Sequence, residues 1–176
     1  MTQTQPSVQP TAVPTPAATD SAAQASPAAD SAQKKTAAGH YATIKTTRGD
    51  IVLELYPDET PNTVQNFITK AQSKFYDRKI FHRVEDWVIQ GGDPLGNGTG
   101  GGKMPTELSK RQFEVGSLGV ARGGDIKMSN DSQFFICTDD CSWLTSQYTN
   151  FGKVVQGMDV AKSMQVGDII TTITIQ

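Results

Sequence analysis

Residues 44–71 read IKTTRGDIVLELYPDETPNTVQNFITKA, and this stretch holds both kinds of element from which the fold is built. Its first half predicts a β hairpin, with strands at 44–47 and 51–55 joined by a tight turn. Apolar side chains alternate along the second strand and therefore share one face: Ile51, Leu53 and Leu55.

A helix is expected to follow the hairpin. Thr60 is the candidate N-cap residue, and Pro61 stands at the first helical position, where its missing N–H costs nothing. The next apolar residues recur at a spacing that lines one helical face: Val64, Phe67, Ile68 and Ala71. We expect that face to pack against the sheet.

Short strands predominate in the rest of the chain. We expect strands at 80–84, 87–90, 117–121, 133–136, 150–155 and 169–175, and a second short helix at 158–164. Many short strands, glycine-rich connections and only two helices favour a mainly β protein, with a closed antiparallel sheet and helices as plugs or caps.

The composition changes sharply near residue 38. Residues 1–38 hold five of the nine prolines and no aromatic residue, so they are predicted to be a disordered Ala/Pro/Ser/Thr-rich tail. Residues 39–176 are predicted to be the folded domain. The tail has no charged segment followed by an apolar one, so a cytoplasmic location is expected as the sequence stands. A periplasmic or exported location is the alternative if a signal or lipid anchor precedes residue 1.

Several classes of function are disfavoured by composition. The formal net charge is −2, and no basic stripe suited to nucleic acid is visible. The longest apolar runs, such as 133–137, are strand-sized, so no membrane span is expected. Cys137 and Cys141 are not expected to form a disulfide framework, and Cys137 is interpreted as a small buried hydrophobic residue. Two histidines and two cysteines are too few for a zinc site, so no metal or cofactor is expected.

Three motifs are interpreted as structural. The segment 96–101 formally matches a dinucleotide fingerprint, but no apolar-periodic helix opens after it, so we expect a surface loop whose glycines adopt positive φ. The glycines of 116–119 are misplaced for a nucleophile elbow. His82 lacks a Ser or Cys that stands out as its partner and is interpreted as structural.

The remaining motifs occur in one consistent order. They are Phe81-His82-Arg83-Val84, Trp87 to Asp93, Gly116 to Arg122, Ser132 to Ile136, Trp143-Leu144, Tyr148 and Phe151 to Val155. In this order and spacing the chain resembles the cyclophilins, in their short single-domain form, from about Tyr41 to Gln176. The resemblance implies a closed eight-stranded antiparallel barrel capped by two α-helices. It also implies peptidyl-prolyl cis/trans isomerase activity that assists protein folding.

The resemblance also implies a role for each site residue. Arg83 matches the family's essential arginine, and Gln90 matches the glutamine that orients it or contacts the substrate. The proline ring would enter a pocket formed by Trp87, Val88, Phe135 and Leu144, in which Trp87 replaces the usual Phe. The backbone of Ala121 and Arg122 would pair with the peptide, and Gln133 would contact it. Trp143 matches the indole that binds a cyclic peptide inhibitor of the cyclosporin type, and Tyr148 stands where His is common, with a hydroxyl that can still donate.

Two departures from the family pattern affect this expectation. The segment 84–87 is one residue shorter than the commonest form and puts Glu85 and Asp86 near Arg83, where a pairing carboxylate would compete with substrate. The segment 123–128 is longer than usual in the family. It lies at the edge of the groove that would hold the substrate residues before the proline.

Two further interpretations stay open beside the isomerase. One is a module that binds a proline motif with little turnover, and the other is a folding helper tethered through its first 38 residues. The expected partners are proline-containing peptides and unfolded proteins, and a monomer is the default.

Overall fold

The structure, a computed structural model, describes residues 40–176. The predicted disordered tail, 1–38, lies outside the described residues. Among residues 40–176, none of the helices has the length and apolar character needed to cross a membrane.

The hairpin expected near the start is present. Strand β1, His40–Thr46, pairs antiparallel with strand β2, Gly49–Leu55, across a two-residue turn. The three apolar residues predicted to share a face of β2 are all buried: Ile51, Leu53 and Leu55. β1 starts earlier than predicted, because its first residues are held by backbone pairing with β2 and not by a pattern of apolar side chains.

Helix α1, Pro61–Gln72, buries the predicted apolar face, with Val64, Phe67 and Ala71 in the core. Thr60 is at the N-cap position, as predicted, but its side chain does not cap the helix, because its hydroxyl donates to the Tyr56 carbonyl. The cap comes instead from Glu107, whose carboxylate accepts the backbone N–H groups of Asn62 (3.1 Å) and Thr63 (2.7 Å). A residue more than forty positions away therefore satisfies the helix start.

Seven further strands complete the sheet. They are β3 Phe81–Glu85, β4 Val88–Gly91, β5 Lys103–Pro105, β6 Ser117–Arg122, β7 Met128–Cys137, β8 Asn150–Gln156 and β9 Ile170–Ile175. A 3₁₀ turn spans Ser142–Leu144, and helix α2 spans Met158–Ser163. β5 was not predicted, and β7 begins earlier than predicted, because four of its first five residues are polar and the segment lacks apolar alternation. Backbone hydrogen bonds to β5 and β6 form that half of the strand.

The strands form one antiparallel sheet in the order β3-β4-β7-β6-β8-β2-β1-β9, with β5 added on β7. This confirms the mainly β, eight-stranded antiparallel architecture with two helices. The two end strands meet only through the bridge between Ile80 and Ile169 and flanking bonds such as Ile170 N–H to Lys79 C=O (2.8 Å). The barrel is therefore closed by a short contact rather than by a full strand pair.

The main core fills the space between this curved sheet and helix α1. Phe67 of the helix packs against the rings of Tyr76, Phe134 and Phe151, with centroids 5.3–5.8 Å apart. A second, smaller core lies on the other side of the sheet, and the candidate site is built on it.

Candidate active site

A cavity of about 100 Å³ opens beside strands β4, β6 and β7. Nine of the residues singled out in the sequence line it: Arg83, Trp87, Val88, Gln90, Ala121, Arg122, Phe135, Leu144 and Tyr148. The other two, Gln133 and Trp143, lie beside it. Residues scattered over 66 positions of sequence are thus brought together at one opening.

The floor of the cavity is aromatic and apolar. Phe135 lies on β7, is 4% exposed, and stacks on Phe113 with ring centroids 5.8 Å apart. Val88 and Leu144 are buried in the same cluster. The sequence did not predict Phe113 as part of the site. It lies in an irregular segment, where no helical or strand periodicity indicates which side chains are buried. A floor of this kind suits a small apolar ring.

A disulfide lies within this cluster. Cys137, the last residue of β7, is bonded to Cys141, and both residues are fully buried. The expectation that the two cysteines form no disulfide framework is therefore wrong, whereas Cys137 is buried at the end of a strand as expected. The four-residue spacing spans a turn that brings both side chains into contact range, which composition alone does not reveal. The disulfide links the strand that carries Phe135 to the 3₁₀ turn that carries Trp143 and Leu144.

Two indole rings form one rim of the cavity. Trp87 lies in the β3–β4 turn and meets Trp143 edge to face, with centroids 5.1 Å apart. Trp143 is 56% exposed, so much of its ring is open to a ligand. The guanidinium of Arg83 lies over the Trp87 ring, with its Cζ 5.4 Å from the ring centroid. This cation–π contact attracts the positive charge of Arg83 to the face of the indole.

Arg83 is held by two acceptors. Its Nε and Nη2 donate to the two carboxylate oxygens of Glu85 at 2.7 and 3.0 Å, and its Nη1 donates to Gln90 Oε1 at 3.3 Å. The hydrogen bonds from Arg83 lower the pKa of Glu85 below its usual range. Of the two acids near Arg83 in the sequence, only Glu85 pairs with it among the described residues.

Gln90 and Gln133 continue this hydrogen-bonded chain. Gln90 Nε2 donates to Gln133 Oε1 at 2.9 Å, and Gln133 Nε2 donates to the carbonyls of Gly98 (3.1 Å) and Gly100 (2.8 Å). Because these carbonyls can only accept, the orientation of both amides is determined.

The glycine-rich loop is organised by Asp93, a residue to which the sequence argument assigned no role. Its fully buried carboxylate accepts the N–H groups of Leu95, Asn97 and Gly98 at 2.7–3.2 Å. Burial alone would raise its pKa, but these hydrogen bonds bring the pKa below the usual value. The loop glycines Gly96, Gly98 and Gly101 have positive φ, as expected of a structural loop.

A larger cavity, of about 380 Å³, adjoins the first one. Gln90, Ala121, Arg122 and Gln133 contribute to its lining, together with much of the long 123–128 segment. Arg122 stacks its guanidinium over the Tyr148 ring at 4.4 Å and donates to the Gln147 carbonyl at 2.9 Å. Its side chain is thus turned towards Tyr148.

Tyr148 contributes its ring rather than its hydroxyl to the wall of the smaller cavity. It meets Phe135 edge to face at 5.8 Å, and its hydroxyl forms no hydrogen bond within residues 40–176. His82 lies under Gly98, and burial lowers the pKa of its imidazole. Neither ring nitrogen of His82 has a hydrogen-bond partner in the described part of the chain.

Comparison with known proteins agrees with this geometry. The family profile described as "Cyclophilin type peptidyl-prolyl cis-trans isomerase/CLD" matches residues 41–175. Peptidyl-prolyl cis-trans isomerase cypE of Dictyostelium discoideum is 43% identical over 130 residues, which cover 69% of this chain and 82% of that protein. Peptidyl-prolyl cis-trans isomerase 9 of Schizosaccharomyces pombe is 41% identical over 136 residues, but this chain spans only 22% of that longer relative.

A solved structure shares the fold. The cyclophilin type peptidyl-prolyl cis-trans isomerase of Cryptosporidium parvum, crystallised in the presence of the dipeptide Ala-Pro, superposes with a TM-score of 0.71 at 28% identity. The match covers 77% of this chain and 98% of that one.

Proposed function

We propose that this chain, which belongs to the cyclophilin family of peptidyl-prolyl cis-trans isomerases, catalyses rotation about X-Pro bonds with Arg83 as its catalytic residue. The observation that carries the proposal is a cavity of about 100 Å³ with an apolar, aromatic floor and the guanidinium of Arg83 in its lining. Proline-containing peptides and unfolded chains are the proposed substrates.

The chemistry needs no bond to break. Rotation about the amide is opposed by its partial double-bond character, with a barrier of roughly 18–20 kcal/mol. In the twisted state the prolyl nitrogen regains its lone pair, and Arg83 can donate an N–H to it. A donor that gains strength only in the twisted state lowers the barrier.

The rest of the site holds the substrate while one end turns. The proline ring fits over Phe135, between Val88 and Leu144, where the apolar surface favours it over water. The backbone of Ala121 and Arg122, two half-buried residues at the end of β6, can pair with the extended chain before the proline. Gln90 and Gln133, which line the adjoining larger cavity, can contact that chain as well.

A proline-limited peptide assay tests the proposal. Arg83→Ala should lower kcat/KM by roughly 100-fold or more, in the range seen when one preorganised donor is removed. Arg111→Ala is the matched control, because Arg111 also pairs with a carboxylate, that of Glu59, and stacks on an aromatic ring, that of Tyr56, away from the cavity. It should leave kcat/KM unchanged.

Two results would point elsewhere. If the wild type leaves the isomerisation rate at its uncatalysed value, the isomerase proposal fails. If peptide binds equally well before and after Arg83→Ala and neither form turns it over, the chain is a proline-motif binding module.

We further propose that a cyclosporin-type cyclic peptide binds at the indole rim and that the chain acts as a monomer. The exposed ring of Trp143 supports the first point, because a bound apolar peptide would cover it. Titration should change the tryptophan fluorescence of the wild type, and Trp143→Ala should weaken binding. Light scattering tests the monomer.

The disulfide supports an oxidising location for this chain. Disulfides persist in secreted and periplasmic compartments and are rare in the cytoplasm, so we propose the exported alternative over the cytoplasmic one. Alkylation of thiols in freshly lysed native cells tests this, since Cys137 and Cys141 should resist labelling until they are reduced. Immediate labelling of both would favour the cytoplasm.

A further inference from the structure

We propose that Glu85 is a positioning residue for the isomerisation, holding the Arg83 guanidinium so that its free N–H groups are directed to the substrate. The inference rests on the proposed function, because it assumes that Arg83 is the catalytic group. It is the alternative to the expectation, drawn from sequence, that a carboxylate paired with Arg83 would compete with substrate.

Glu85 holds Arg83 from outside the proline cavity. Arg83 lines the cavity, whereas Glu85 lines a separate depression together with Asp86, Asp139 and Lys162. Its carboxylate therefore does not take the space that a proline ring needs. It binds the guanidinium edge formed by Nε and Nη2, in the two-point geometry that determines orientation as well as distance.

The guanidinium is fixed on a second edge by Gln90. An arginine has five N–H donors, of which Glu85 takes two and Gln90 takes one. Two N–H groups remain, one on each terminal nitrogen, for the prolyl nitrogen and a neighbouring carbonyl. The Trp87 ring, 5.4 Å away, restrains the guanidinium from a third side.

Glu85 also terminates a hydrogen-bonded chain whose direction is determined along its length. The carbonyls of Gly98 and Gly100 accept from Gln133, Gln133 accepts from Gln90, and Gln90 accepts from Arg83. Each hydrogen bond in this chain determines the orientation of the next amide, so Gln90 presents its Oε1 to Arg83. The guanidinium of Arg83 therefore has Gln90 as acceptor on one edge and Glu85 on another. An anion at the end of such a chain stabilises the guanidinium where it stands.

The short hairpin explains why Glu85 can do this. Arg83 and Glu85 are two residues apart on β3, so their side chains leave the same face of the strand. The two-residue turn sets Glu85 opposite Val88 and Arg83 opposite Gln90. Asp86 lies in the turn itself, where its backbone carbonyl accepts a hydrogen bond from the Thr138 hydroxyl at 3.1 Å.

This difference supplies a matched control. Glu85→Ala and Glu85→Gln remove the carboxylate that holds Arg83, whereas Asp86→Asn removes the neighbouring negative charge without touching Arg83. Arg83 and Glu85 are both about half exposed, with side chains 41% and 46% accessible, so none of these variants should disturb folding.

The test measures kcat and KM separately for the wild type and these variants. Glu85→Ala should lower kcat roughly fivefold with KM within about twofold, since the pair contributes only modest energy at the surface. Glu85→Gln, which keeps one acceptor, should lose roughly twofold in kcat, and Asp86→Asn should match the wild type. In an Arg83→Ala background, measured at high enzyme concentration, Glu85→Ala should cause no further loss.

A second readout does not depend on turnover. The Nε–H of Arg83 should exchange slowly with water in NMR spectra of the wild type and quickly in Glu85→Ala. Turnover by Glu85→Ala equal to or above that of the wild type would overturn the inference, as would a loss no larger than that of Asp86→Asn. These results apply only if the wild type turns over and Arg83→Ala lowers kcat/KM by roughly 100-fold or more; otherwise it is the proposed function that fails.

Discussion

Adding one methyl group at Gly119 should damage the proline cavity and the stability of the fold together. Gly119 on β6 lies opposite Phe135 on β7 in the sheet register. A Cβ atom at position 119 would lie 2.2 Å from Phe135 Cζ and 2.7 Å from each Cε atom. Carbon atoms in favourable contact are about 3.5–4.0 Å apart, so the ring must move by roughly 1 Å or more.

Phe135 has little room in which to move. Phe113 stacks on one face of its ring, and Tyr148 meets it edge-on. The ring must therefore enter the cavity or force β6 and β7 apart. Overpacking of this kind costs about 1–3 kcal/mol, which for a domain of this size lowers Tm by roughly 4–12 °C. Displacement of the cavity floor should lower kcat/KM roughly ten- to a hundredfold.

Urea unfolding and the proline-limited peptide assay measure the two effects. Gly124→Ala is the control for stability, because a Cβ there has no neighbour within 4 Å. It should unfold within about 0.5 kcal/mol of the wild type. If Gly119→Ala unfolds at the same urea concentration as Gly124→Ala and turns over like the wild type, the steric reasoning is refuted.

Three other changes test contacts that support the site. Asp93→Asn should cost about 1–3 kcal/mol at pH 7, because a buried carboxylate that accepts three N–H groups is lost. Because folding lowers the pKa of Asp93, its contribution to stability disappears as the pH falls through the folded-state pKa. The difference in free energy of unfolding between the variant and the wild type should therefore shrink in acid, and a difference that stays constant would contradict this reasoning. Glu107→Gln should cost about 1 kcal/mol in urea unfolding by weakening the cap of α1, whereas Glu114→Gln, which removes an exposed partner of Lys153, should cost nearly nothing. Cys141→Ser should cost roughly 2 kcal/mol by opening the small disulfide loop, and dithiothreitol should destabilise the wild type but not this variant; a wild type unmoved by reductant would argue against the disulfide.

Much of the fold was predictable because it depends on local patterns. Alternation marked β2, helical spacing marked α1, and proline at the first helical position marked where α1 begins. Hydrophobic patterns did not predict the strands that form through backbone pairing alone. β5 and the polar first half of β7 have no apolar period, and they are strands because they lie beside one another.

Some residues of the site were likewise predictable from the sequence, and others were not. Motifs in one order along the chain identified the arginine, the glutamines and the ring-binding residues, because each motif has its own recognisable residue types. Phe113 and Glu107 were missed because each contacts a residue far from it in the sequence. Asp93 was missed because the N–H groups that its carboxylate accepts depend on how its own loop folds.

The sequence by itself therefore determined the family, the strand-and-helix content and the residues that meet at the cavity. Only the tertiary structure decided that Cys137 and Cys141 pair and that Glu85, rather than Asp86, holds Arg83. Such choices between neighbouring residues depend on where side chains leave the backbone. Strand register and turn length determine those directions, and neither can be read from residue types alone.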